Sequence, residues 1–151
     1  MRAATLLALA ALGASLPARA DECGTLIARV AAETGAAVER QSTDYASFTA
    51  GPDTTLTLAC GAPALSSVGA QFRGASPPET YYDLFAKAGH AVTGIDTAVI
   101  AEAAHRAQAT ATRMRHSNVD LGGARVTCSA MNAPDKGPLT LCAVIEHSDR
   151  S

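Results

Sequence analysis

Apolar residues return at helical spacing over residues 22 to about 34, at Leu26, Ile27, Val30 and Ala31, and Gly35 follows where a left-handed residue would cap a helix. The period then drops to two. Residues 37–49 read as one strand, 55–60 as a second with Leu56, Leu58 and Cys60 on one face, and 66–73 as a third, with Gly51-Pro52-Asp53-Thr54 turning the first into the second. Ser76-Pro77-Pro78-Glu79 has the pattern of a helix start, Ser76 at the N-cap, Pro77 at the first helical position and Glu79 completing a capping box. On that helix Tyr81, Leu84, Phe85 and Ala88 share the inner face, Tyr82 falls on the flank, and Gly89 marks the end. Thr93-Gly94-Ile95-Asp96 resembles a second capping box, opening a helix to about Met114 with Val99, Ile100, Ala103, Ala107, Ala111 and Met114 inward.

Residues 116–121, 124–131 and 139–146 read as three more strands, and Gly122-Gly123 supplies a tight turn between the first two. The last is apolar on both faces, which places it near the sheet centre or under cover on both sides. The expected fold is α+β: an antiparallel sheet of about six strands with helices packed on one face, in the order α-βββ-αα-βββ.

The first twenty residues stand apart from this pattern. Arg2 supplies a positive n-region, residues 5–16 an apolar run too short for a membrane span, and Ala18-Arg19-Ala20 a small-x-small cleavage site, with Asp21 as the expected mature N-terminus. Residues 1–20 therefore read as a signal peptide and 21–151 as a single domain. Arg19-Ala20-Asp21-Glu22 before Cys23 lacks the small residues that lipid-anchor processing needs. The expected location is periplasmic or secreted, without a lipid anchor or stable membrane insertion.

Export changes the reading of the four cysteines, which meet an oxidising compartment. A hairpin centred on Asp135 sets Cys128 opposite Cys142 and leaves Cys23 to pair with Cys60. No Cys-x-x-Cys occurs, so redox or metal chemistry is not expected of them. The chain carries 12 basic and 14 acidic residues, and losing Arg2 and Arg19 with the leader takes the net charge from −2 to −4. That balance argues against nucleic acid as a partner.

Candidate chemistry is sparse. Glu102 and His105 have the E-x-x-H spacing of carboxylate-bridged metal bundles, but in one copy and on the polar side of their helix. No Gly-x-Ser-x-Gly elbow frames Ser66-Ser67, and Glu79 and Asp83 lie where first-turn acids are ordinary. No cofactor, metal or catalytic residue is expected. Arg113, Arg115 and Arg125 gather near the end of the second long helix and could hold a small anion with forked guanidinium groups. Tyr82, expected at the surface beside Ala86, is the candidate docking residue for a protein partner. The functional expectation is a non-enzymatic protein-interaction or accessory module, then a small-anion or small-ligand binder using the arginines, and third a hydrolytic enzyme.

Overall fold

The computed structural model describes residues 18–62 and 65–147. Residues 1–17, most of the expected leader, lie outside the described residues. The elements run α1 (Ala18–Thr34), β1 (Ala37–Gln41), β2 (Tyr45–Thr49), β3 (Thr54–Ala59), β4 (Ser67–Phe72), α2 (Glu79–Thr93), α3 (Thr97–Met114), β5 (His116–Asp120), β6 (Ala124–Ala133) and β7 (Gly137–Glu146). α1 starts before Glu22, so a cut between Ala20 and Asp21 falls inside its first turn.

One antiparallel sheet holds every strand in the order β1-β2-β3-β4-β7-β6-β5. It has seven strands rather than six, because residues 37–49 fold back on themselves. Ser42 Oγ donates to Asp44 Oδ1 at 3.0 Å and the Ser42 N–H to the Tyr45 carbonyl at 2.8 Å, so a side-chain turn splits what looked like one strand.

Register shows which face is the core. Ala46, Leu58, Val68, Val144 and Val126 are successive cross-strand partners, as are Phe48, Leu56, Ala70, Cys142 and Cys128. Partners share a face, and none of these ten is more than 2 % exposed. The three helices cover this face: α1 on β2, α2 on β4 and β7, and α3 on β5, β6 and β7. The other face presents Ser47, Thr57, Gly69, Ala143, Thr127 and Asn118 as its middle row. β7 lies inside the sheet between β4 and β6, with Ile145 40 % exposed on the open face.

The helix boundaries correct the capping expectations. Pro78, not Ser76, is the N-cap of α2 and makes no side-chain capping bond; a second proline moved the start two residues on. Asp96, not Thr93, caps α3 by accepting the Ala98 N–H at 2.8 Å. α2 continues through Gly89 to Gly94, whose φ of 72° ends it. Gly89 is there for contact rather than for a turn: a Cβ would lie 3.0 Å from Ile100 Cδ1 and 3.1 Å from Val144 Cγ1. Gly89→Val is expected to lower stability by about 1–3 kcal/mol through overpacking, read from a denaturant melt; an unchanged midpoint would mean that α2 and α3 part freely there.

α3 is rotated from the expected wheel. Ile100, Ala103, Ala104, Ala107, Gln108 and Ala111 are buried, whereas Val99 and Met114 are exposed. Gln108 is accommodated by a polar chain, its Nε2 donating to Thr140 Oγ1 at 3.2 Å and Thr140 in turn to the Gly74 carbonyl at 3.0 Å. Two disulfides close the structure, Cys23–Cys60 between α1 and the end of β3, and Cys128–Cys142 between β6 and β7.

Candidate functional site

The ladder between β5 and β6 creates an irregular corner. β6 spans ten residues but β5 only five, and their pairing begins at His116 opposite Ser129. Residues 131–133 of β6 therefore run on past the start of β5, paired with β7 alone. The chain enters β5 from α3 through Arg115, whose N–H donates to the Ala111 carbonyl at 2.7 Å and whose carbonyl accepts the Ala130 N–H at 3.0 Å. Arg115 closes α3 at φ 67°, the single non-glycine residue at positive φ among the described residues. A left-handed conformation costs an L side chain about 1–2 kcal/mol, and glycine is the usual occupant of this helix-ending position.

A groove of about 560 Å³ opens at this corner, lined by Arg115, Ser129, Ala130, Met131 and Asn132. Ser129 is tied to its neighbours on the open face. His116 Nδ1 lies 2.9 Å from Ser129 Oγ, and its Nε2 lies 3.3 Å from Thr127 Oγ1. The imidazole is thus held between two hydroxyls, and among the described residues no carboxylate pairs with it. Two of the lining residues carry side chains able to donate to an anion, the Arg115 guanidinium and the Ser129 hydroxyl.

Of the arginines singled out from sequence, Arg115 alone lines the groove. Arg113 sits in the last turn of α3, exposed. Arg125 lies at the far end of the ladder, where its Nη2 is 3.5 Å from Asp120 Oδ2. The Gly122 N–H, then His147 and Arg125, hold Asp120 below the usual carboxylate range against the opposing effect of desolvation. The three arginines therefore do not form one site. The groove's other members, Ser129, Asn132 and the supporting His116, carried no signal in the sequence, since only the cross-strand register brings them beside Arg115.

Tyr82 does not form the expected surface. It is 6 % exposed, its ring stacked on His105 of α3 at 3.8 Å between centroids and edge-on to Tyr81 at 5.3 Å. His105 in turn reaches Glu79 Oε1 at 3.0 Å, so it closes over α2 and leaves its E-x-x-H neighbour Glu102 exposed. α2 is the middle helix of three, flanked by α1 and α3, which buries its flank as well as its inner face. Burial, with Glu79 next, raises the Tyr82 hydroxyl above its ordinary value.

Tyr81 donates to the Ala70 carbonyl at 2.9 Å, and burial keeps its hydroxyl well above the ordinary value of 10.0. The sign follows directly: a raised native value means stability that is complete below the unfolded-state value and is lost as pH climbs past it. In an alkaline titration Tyr81 is expected to ionise only together with loss of the near-ultraviolet circular dichroism signal; ionisation with the fold intact would contradict its burial.

Among the described residues no three His, Cys, Asp or Glu side chains gather to hold a metal ion, and no helix is long and apolar enough to cross a membrane. Comparison with protein-family models, with curated proteins and with solved structures finds no match.

Proposed function

We propose that this chain is an exported binding module of the periplasm or the extracellular space, and that its docking site is the Arg115 groove, which receives an anionic group of a protein partner. This joins the two leading sequence expectations, protein interaction and anion binding, at one place. The observation that carries it is Arg115 itself. A non-glycine residue at φ 67°, where glycine would be unstrained, that also lines an open groove points to a use for its side chain. Interaction with the helix dipole would account for about 0.3–1 kcal/mol, less than the conformational cost it has to offset. The two disulfides and the leader pattern support export.

The test is titration of acetate, sulfate and phosphate into the oxidised protein, followed by amide chemical shifts. The expected result is saturable movement of the Arg115, Ser129 and Asn132 amides. Movement spread evenly over the surface, or none, would overturn the reading. The Ser129–His116 contact invites a nucleophile–base comparison, but a fluorophosphonate probe is expected to leave Ser129 unlabelled, because among the described residues no acid orients the imidazole.

A further inference from the structure

We infer that the groove takes the C-terminal end of an extended polypeptide, which adds as a short strand to the free edge of β6 and delivers its terminal carboxylate to Arg115. The inference rests on the proposed docking site and names its occupant.

The free edge follows from the ladder. The Leu121 N–H donates to Ala124 and the Ala130 N–H to Arg115, so the even-numbered residues of β6 turn their N–H and C=O toward the β5 side. Asn132 is the next even residue, and β5 does not reach it. Its N–H and C=O face the groove on the sheet edge, and its side chain is exposed. On the β7 side the ladder bonds through odd-numbered positions, as the His147 N–H donating to the Gly123 carbonyl shows, so Asn132 faces Pro138 as a non-hydrogen-bonded pair and β7 makes no claim on these two groups.

Direction follows from the same register. β5 runs antiparallel to β6. A segment continuing the line of β5 past residues 132 and 131 in the antiparallel sense runs toward Arg115 and stops there, because the protein's own chain occupies the next position. Its last residue exchanges its backbone bonds next to the guanidinium, which accepts a carboxylate and repels an amino terminus. Met131, 49 % exposed on the same stretch, gives an apolar side chain of the segment a neighbour. The other sheet edges lack this combination. β1 is a fully exposed edge broken by a bulge between Val38 and Arg40.

The probe is an N-acetylated pentapeptide of alternating valine and threonine, prepared with a free C-terminal carboxylate and with a C-terminal amide, and titrated into the full oxidised protein. The free acid is expected to bind at least about tenfold more tightly than the amide, and to slow hydrogen exchange at the Asn132 amide. Asn132→Pro deletes the edge N–H without touching the β7 ladder and is expected to abolish peptide binding while acetate still shifts Arg115; Asn132→Ala, which keeps the backbone, is expected to bind as the parent. Equal binding of acid and amide, or unchanged binding by the proline variant, would overturn strand addition. Acetate binding without peptide binding would overturn this inference and leave the docking site standing, whereas failure of acetate and peptide alike would remove both.

Discussion

Replacing Cys23 and Cys60 together by alanine is expected to lower stability by about 4 kcal/mol and the thermal midpoint by roughly 15 °C for a domain of this size. The bond links residues 37 apart in sequence. Closing so long a loop removes much of the unfolded chain's freedom, and nothing else ties these two residues to each other, since α1 otherwise meets the sheet mainly at β2. Cys23 is 3 % exposed, so the cut also leaves a small void at the base of α1. The Cys128–Cys142 bond spans 14 residues within a hairpin already zipped by a ten-residue ladder. Its removal is expected to cost less, about 3 kcal/mol. Denaturant melts of both double variants check the order. Equal midpoints for the parent and the Cys23/Cys60 variant would contradict the anchoring role given to α1.

Phe48→Ala is the second large effect, expected at about 3–5 kcal/mol. Phe48 is fully buried on β2, with Leu56 beside it on β3 and Ala70 beyond on β4. The core cluster that holds Phe48 is rich in alanine, with Ala46, Ala70, Ala86, Ala88 and Ala91 in it, and alanine has no flexible atoms to swing into a void. Met131→Ala, on the open face of the same sheet, is expected to change stability by less than about 0.5 kcal/mol. The contrast between the two substitutions reads out which face of the sheet is the core.

How far the sequence foretells this architecture depends on whether a feature is local. Helix and strand periods give the α+β layout and the element order save for one strand before α2, and the Asp135-centred hairpin already sets Cys128 opposite Cys142. The first hairpin escapes because its turn contains neither glycine nor proline and relies on Ser42 and Asp44 bonding to each other. Tyr82 is misplaced by a helical wheel because a wheel assumes a helix with one buried face. α2 lies between two others and buries Tyr81, Tyr82, Phe85, Ala86, Ala88, Gly89, Ala91 and Val92. The candidate site is only half legible. Arg115 stands out as a basic residue at a helix end, but its left-handed backbone, its Ser129 and Asn132 neighbours and the overhang of β6 beyond β5 arise from register between distant segments. The clustering of Arg113, Arg115 and Arg125 in sequence fails for the same reason, since the ladder carries Arg125 away to Asp120.

Arg115→Gly separates a binding role of this arginine from a folding role when stability and acetate binding are measured on the same samples. Glycine relieves the backbone at φ 67° and forgoes the weaker dipole interaction, so the variant is expected to be as stable as the parent or up to about 1 kcal/mol more stable, while acetate no longer moves the Ser129 and Asn132 amides. A variant that loses stability and still binds acetate as the parent does would show that the arginine serves the helix end and not a ligand.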